Sequence, residues 1–356
     1  MCPTILEVDM RKLAHNIDHI VNTVHNAGLS CAIVSKCVLS DPRIAALIDA
    51  SAADYIADAR LPNLAALHCA KPRWLLRIAA PSEVEAVVGS CELSHHSERY
   101  TLGLLAEAAA RQGKRHKVVL MSDVGDLREG IIYDDTELLL ATAQQVLESP
   151  YLELYGLSCN LSCFGGILPD QNNMTTLHAL AEQIRRRFDI ELPLISGGAT
   201  SSLPLLAQGR MPRGVNNLRI GEAALCGYDT SGRQAVPGCY QDAFTLQAEL
   251  IELQLKPSVP IGRSGVNAFG ETVVFPERGR RLRGIVSIGR MDTDFTALTP
   301  PEGVEILGAS SDHMILDLQQ AGGRYRLGDH IPFGVGYSAL LRACAGPFIS
   351  KRYIGE

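Results

Sequence analysis

Three groups of residues in this chain have the types and spacing of reactive or charge-binding positions. The first is Lys36, which follows the small and apolar run Cys31 to Val34 and Ser35, just before Ser40-Asp41-Pro42 starts a new segment. A lysine at the C-terminal tip of an inside strand is poorly solvated. Desolvation lowers the pKa of its ammonium and frees the amine as a nucleophile or imine former, although in the hexapeptide alone a lysine snorkelling into water is the plainer reading. The second group is SGGATSS, Ser196 to Ser202. Gly197 and Gly198 let backbone amides approach an anion, and Ala199, Thr200, Ser201 and Ser202 offer N–H and O–H donors, or else the segment is a turn with a hydroxyl cap. The third is Arg219 in NNLRIGEA. Its charge cannot be discarded, so it must meet a carboxylate such as Glu222 or aim at an acceptor in a cavity.

These groups act together only if the fold brings them to one place. Short apolar runs begin near residues 31 (CAIVSK), 53 (ADYIAD), 74 (WLLRIAA), 92 (ELSHHS), 117 (KVVLMSD), 152 (LELYGLSCN), 192 (LPLISGG) and 217 (NLRIGE). Amphipathic segments separate them, among them Pro42 to Ala50, Glu98 to Gln112, Asp135 to Glu148 and Met174 to Phe188. The alternation predicts an α/β fold, a (β/α)8 barrel, whose C-terminal strand ends face the active site. Those ends read Lys36, Asp58 and Arg60, Arg77, His95 and His96, Asp123 with Arg128, Asn160, Ser196 to Gly198, and Arg219 with Gly221. An opening strand TILEVD and a helix over Met10 to Asn26 precede the first run. From Asp229 the rhythm changes to strands beginning near 244, 283, 303 and 325, with no helix before Ser338. The expected domains are therefore a barrel over 1–228 and a mostly β domain over 229–356.

Composition narrows the function classes. A net charge of -6 argues against a broad nucleic-acid or anionic-membrane surface, and no apolar run reaches membrane-spanning length. Ten cysteines follow an N-terminus, MCPTILEVDM, that lacks the features of a signal peptide, so reduced thiols in a cytoplasm are expected. Cys159 and Cys163 have no second ligand pair nearby, and no metal is expected.

A strand-one lysine, a strand-seven anion cup and a strand-eight arginine supply the three contacts that pyridoxal 5′-phosphate requires: an imine, a phosphate anchor and a group at the ring nitrogen. With that layout the sequence resembles the fold-type III, alanine-racemase-like pyridoxal phosphate enzymes, and within them the ornithine racemase (alanine/ornithine racemase) group. The segments TILEVDMRKLAHNI, GDLREG, ISGGATSS, NLRIGE, KPSVPIG, ILGASSDHMILDL and GDHIPFGVGYSALL carry the resemblance nearly end to end. It implies interconversion of L- and D-amino acids by removal and return of the α-proton. Ornithine or another basic amino acid leads, ahead of alanine, serine or lysine, and a non-catalytic pyridoxal phosphate carrier is the rival from another class. The implied assembly is a homodimer in which the partner's β domain completes each active site.

Residue by residue, the resemblance places Lys36 on the cofactor and as base on one face of the substrate carbon. Ser196, Gly197, Gly198, Thr200, Ser201 and Gly221 fall at the phosphate, Arg219 at the pyridine nitrogen, and Tyr337 also at the cofactor. Asn160 stands where alanine racemase stacks a histidine on the ring. Arg128 matches the arginine near the substrate carboxylate, with Ser311 and Asp312 of GASSDH as further substrate contacts. An arginine leaves the ring nitrogen unprotonated and the ring a weaker electron sink, which favours racemisation over transamination. Three positions depart from the pattern: Ile261 replaces the tyrosine that is the opposite-face base, Met121 replaces a carbamylated lysine, and Ser40 replaces a phosphate-binding tyrosine. The opposite-face base is then sought among His313, Asp292, Asp294, Tyr337 and Cys163, or Lys36 serves both faces. An imidazole suits general acid–base work, which puts His313 among them. Asp292 and Asp294 share a face if extended and suit a cationic substrate tail, or form an Asx turn.

Overall fold

All eight apolar runs become strands in the computed structural model, which describes residues 3–355. They are Ser30–Val34, Tyr55–Asp58, Arg73–Leu75, Leu93–His96, His116–Asp123, Leu152–Ser158, Leu194–Ser196 and Asn217–Ile220, hereafter barrel strands one to eight. Each pairs in parallel with the next, and strand eight pairs with strand one, Leu218 opposite Cys31, to close the barrel. Ala32, Val34, Ala57, Trp74, Leu93, Val119 and Leu194 pack into one buried cluster. Contributed by six different strands, that cluster fills the barrel interior. Burial on both faces is why these strands read as continuous apolar runs rather than as alternation.

The connecting helices begin where their sequences offer caps. The Asp41 carboxylate accepts the N–H groups of Arg43 and Ile44 ahead of the helix Pro42–Ala50, with Pro42 in the first turn. Asp135 and Asp170 cap Thr136–Glu148 and Gln171–Phe188 in the same way. In Met10–Asn26, Leu13, Ile17, Ile20 and Val24 are fully buried, as their spacing predicts.

The second compact unit comprises the residues up to Lys12 together with Gln241 onward. Its long strand Phe244–Pro257 pairs antiparallel with Thr4–Asp9, Arg280–Val286 and His330–Val335. Arg280–Val286 continues to Met314–Asp317 and then to Glu305–Ala309, while Ser350–Ile354 lies parallel to Thr4–Asp9. The opening strand therefore lies with the β unit, whereas a division at 228/229 keeps it with the barrel. The barrel is closed by its own eight strands and has no edge left to pair. Thr4, Leu6 and Val8 alternate with half-buried neighbours and find the half-covered sheet that this pattern needs. The segment from 303 splits into two strands, because Ser310 donates to the His313 carbonyl at 2.8 Å and makes Ser311 and Asp312 the tip of a hairpin. Among the described residues no helix is long and apolar enough to cross a membrane.

Candidate active site

Lys36 sits two residues past the end of barrel strand one, half-buried, at the start of the 3-10 turn Lys36–Val38. What holds that turn is a buried polar knot. Ser35 Oγ and Ser40 Oγ lie 2.8 Å apart, and both donate to Asp58 Oδ2, at 3.2 and 2.9 Å. The same carboxylate takes the Arg60 N–H at 2.8 Å and Asn63 Nδ2 at 3.2 Å. Leu39 and Ser40 are left-handed, φ +54° and +49°, a conformation that non-glycine residues keep only when their surroundings impose it. Ser40, where the resembled family has a phosphate-binding tyrosine, thus ties the loop of Lys36 instead.

Arg219 points into the barrel from strand eight and is 3% exposed. Its sequence neighbour Glu222 is not its partner. Nη1 donates to Ser158 Oγ at 2.7 Å and Ser196 Oγ at 2.6 Å, and Nη2 to the Cys159 carbonyl at 2.8 Å. Three of the five guanidinium N–H donors are thereby used. Burial lowers the guanidinium to about 10, leaving it charged at neutral pH. Trp74 lies 5.8 Å beneath it, and His95 stacks edge-on against Trp74 at 5.1 Å. Burial and then Arg219 push the His95 imidazolium well below its ordinary value, so the ring is neutral. Glu222 is instead pushed up by burial, with Thr230, Arg233 and Lys36 among the groups that draw it back.

The strand-seven segment divides its labour. Ser196 Oγ donates to Asn217 Oδ1 at 2.6 Å while accepting from Arg219, so it acts through the arginine rather than on an anion. Ser202 Oγ is spent on the Gly197 carbonyl at 2.6 Å. Gly198 has φ +100°, and a Cβ there would meet Ser202 Oγ at 2.9 Å, so glycine is required. Among the described residues Ser201 Oγ, buried, has no hydrogen-bond partner, and neither do Asn160 Nδ2 and His95 Nε2. Buried polar atoms left unpaired cost about 1–3 kcal/mol each, so these are the places where a bound group's own polar atoms belong. Thr200 Oγ1 accepts only the Ala223 N–H, at 3.4 Å.

Two loops border this end of the barrel. After strand five, Asp123 Oδ1 accepts the N–H groups of Gly125 and Leu127. Asp126 reaches across to the loop after strand six, where its carboxylate accepts from the N–H groups of Ser162, Cys163, Phe164 and Ile167 at 2.9 to 3.2 Å. Arg128 engages Glu129 through both Nε and Nη2. Sequence reading missed Asp126 and Glu129, for which GDLREG was the available signal, and Trp74, which nothing local marks out from the apolar run that holds it. Met121 is fully buried in strand five, and Cys163 is exposed.

The remaining candidates lie in the β unit. Asp292 and Asp294 do not share a strand face, because the strand ends at Val286. Asp292 accepts the Gly289 N–H at 2.9 Å, and Asp294 caps the turn Phe295–Ala297 while accepting from Thr296 and Ser338. His313 Nδ1 is 2.9 Å from Asp312 Oδ1, which Ser311 Oγ also approaches at 3.1 Å. Tyr337 begins the helix Tyr337–Ala345, and Ile261 is 91% exposed in a long loop.

Comparison with known proteins agrees with this layout. Residues 8–229 match the model of the alanine racemase N-terminal domain. An ornithine racemase of Acetoanaerobium sticklandii is 38% identical over 351 residues, covering 98% of this chain and 99% of that one. A lysine racemase of Thermotoga maritima is 32% identical over 352 residues and 98% of both chains. Among solved structures, an alanine racemase from Streptomyces coelicolor superposes with a TM-score of 0.76 at 18% identity, covering 99% of this chain and 98% of that one. One from Bartonella henselae with covalently bound pyridoxal phosphate reaches 0.73 at 16% identity, covering 99% of this chain and all of the other.

Proposed function

We propose that this chain, which belongs to the alanine racemase family, is a pyridoxal 5′-phosphate-dependent racemase of ornithine or another basic amino acid. One observation carries the substrate class: over 98% of its length the chain matches two racemases, of ornithine and of lysine, whose substrates each bear a second amine. The non-catalytic carrier reading is disfavoured by the β unit, which is part of that full-length match.

The residues present fit the cofactor. Lys36 has the amine to hold it covalently, and Ser201, Thr200 and the amides about Gly197, Gly198 and Gly221 would hold its phosphate. Arg219 would face the ring nitrogen with its uncommitted N–H donors, and Asn160 would lie at the ring. When bound, pyridoxal phosphate supplies an electron sink that acidifies the substrate α-hydrogen. Arg219 keeps its own proton, so it can donate a hydrogen bond but not protonate the ring. This leaves the sink weak and favours prompt return of the proton to carbon. Lys36 would remove or return the proton on one face, while Arg128, with Ser311 and Asp312 of the partner, would hold the substrate. The base on the other face would come from His313, Asp292 or Tyr337 of the partner's β domain or from Cys163. Asp294 is the weakest of that group because Thr296 and Ser338 already occupy its carboxylate.

A homodimer would cover apolar side chains that are exposed on both units: Leu127, Phe164 and Leu168 on the barrel loops, Ile261, Val266 and Val274 in the β unit. None of the nine described cysteines is in a disulfide, which suits a reducing cytoplasm.

The test is proton NMR of the α-hydrogen in D2O with chiral analysis of the same samples. Holoenzyme given L-ornithine or L-lysine should exchange the α-hydrogen and accumulate the D-enantiomer. Exchange with retained configuration in a single variant of His313, Asp292, Tyr337 or Cys163 would identify the opposite-face base. No exchange with ornithine, lysine, arginine, alanine or serine would overturn the racemase reading.

A further inference from the structure

The carboxylates beyond the barrel strand ends are sorted by what they hold. Asp58 is taken by Ser35, Ser40, Asn63 and the Arg60 N–H. Asp123 and Asp126 are taken by backbone N–H groups of their own and the neighbouring loop. Glu222 lies among Lys36, Thr230 and Arg233. Glu129 differs from all of these. Its side chain is 20% exposed, and its partner is the forked face of Arg128, the group to which the functional reading assigns the substrate carboxylate. Both belong to the loop that leaves the C-terminal end of strand five and is brought back by the pairing of Ile131 and Ile132 with Ser122 and Asp123, so they stand at the end of the barrel where Lys36 and Arg219 lie.

Glu129 holds the Nε–Nη2 edge of Arg128, so a substrate carboxylate that binds side-on to that edge displaces Glu129. A mostly buried carboxylate stripped of its cation is costly unless another cation arrives. A neutral-side-chain amino acid brings none, whereas ornithine and lysine bring a distal ammonium a few methylenes from the carboxylate. We propose that Glu129 is the specificity-determining residue for the basic side chain: on binding, the Arg128–Glu129 pair exchanges partners, Arg128 taking the substrate carboxylate and Glu129 the distal ammonium. The exchange conserves charge, two ion pairs replacing one pair and two free substrate charges. It rests on the reading of the enzyme as a racemase of basic amino acids.

The experiment compares kcat and KM for ornithine with those for norvaline, which keeps the methylenes and lacks the ammonium, in wild-type, E129Q, E129D and D312N holoenzymes. Wild type should prefer ornithine. E129Q should lose about 10- to 100-fold in kcat/KM for ornithine, mostly in KM, the scale of a lost charge-assisted hydrogen bond, with norvaline at or above its wild-type value because its carboxylate no longer displaces a charged side chain from Arg128. E129D should recover part of the ornithine loss, and D312N should leave the ratio unchanged. Parallel losses for both substrates would make Glu129 a holder of Arg128 only and overturn the inference, as would an E129Q enzyme that keeps the ornithine preference, or a D312N enzyme that alone loses it. If E129Q does not fold, the ornithine-to-norvaline ratio of E129D decides between the same outcomes. A wild type that racemises neither ornithine nor lysine overturns the functional reading and this inference with it.

Discussion

Replacing Asp58 by alanine should disable Lys36 without touching it. Asp58 is fully buried, and its carboxylate gathers Ser35, Ser40, Asn63 and the Arg60 N–H, the two serines flanking the lysine turn. That turn contains Leu39 and Ser40 in the left-handed region, where each non-glycine residue costs about 1–2 kcal/mol. With alanine, one serine hydroxyl can still donate to the other, and the remaining donors lose their acceptor. About two buried donors left unsatisfied, at about 1–3 kcal/mol each, give an expected destabilisation of about 2–6 kcal/mol. Burial raises the Asp58 carboxyl above its unfolded value. Its titration therefore favours the folded state at low pH, and that contribution is lost as pH rises through the folded pKa. Asp58→Asn, which keeps one acceptor oxygen for Ser40, should fall between wild type and Asp58→Ala. Urea unfolding at pH 8 reads the stability, and the imine absorbance on adding pyridoxal phosphate reads the competence of Lys36 independently of turnover. An Asp58→Ala protein with the wild-type midpoint and the wild-type rate of imine formation would refute the reasoning.

Asp126→Ala strips four loop N–H groups of their acceptor; limited proteolysis next to Phe164 should quicken at least about tenfold and KM should rise more than kcat falls, whereas an unchanged digestion pattern would count against Asp126 as the loop's anchor. Arg219→Lys keeps the charge and loses the fork that spans Ser158, Ser196 and the Cys159 carbonyl, so pyridoxal phosphate should bind about tenfold or more weakly in an absorbance titration. His96 and His116 share the Ser94 hydroxyl, at 2.7 Å each, and burial lowers them to about 3 and about 4. Both stay neutral when folded but take protons near pH 6.5 when unfolded, so this stability is present above that pH and lost as pH falls toward the folded values. Between pH 8 and 5 the loss should be about 2 kcal/mol per histidine, seen as a falling urea midpoint that a His96→Gln, His116→Gln variant flattens.

The barrel was legible because its strands are buried on both faces and its helices on one, so apolar runs and helical periods alternate without ambiguity. The opening strand was not assignable to its sheet. The alternation of Thr4, Leu6 and Val8 says half-buried, but its partners, Phe244–Pro257 and Ser350–Ile354, lie more than 200 residues away. The reactive end of the barrel shows the same split. Lys36, Arg219 and the Gly197-Gly198 turn announce themselves by residue type at strand ends, whereas the bonds that aim them are long in sequence. Arg219 ignores Glu222, three residues on, for Ser158, 61 residues back. Similarly, Ser40 and Asp58 are 18 residues apart, and nothing local in either says that together they hold the lysine turn.

Part of that hidden wiring nevertheless follows from the barrel assignment. Strands six, seven and eight are consecutive in a parallel barrel, so residues at their C-terminal ends must be lateral neighbours. Ser158 and Ser196, small hydroxyl residues at the buried C-terminal ends of their strands, are then the nearest acceptors for an arginine rising from strand eight. A carboxylate just beyond strand eight competes poorly, since Glu222 opens the helix Glu222–Cys226 and turns away from the strand axis. The same geometry places Asp126 beyond strand five beside the backbone that follows strand six, where four amides await an acceptor. What strand order cannot supply is the pairing of Arg128 with Glu129, because adjacent residues in a loop face each other only when the turn folds them so. Gly130, at φ +125° and backed against Ser122 and Asp123, is the residue that folds it.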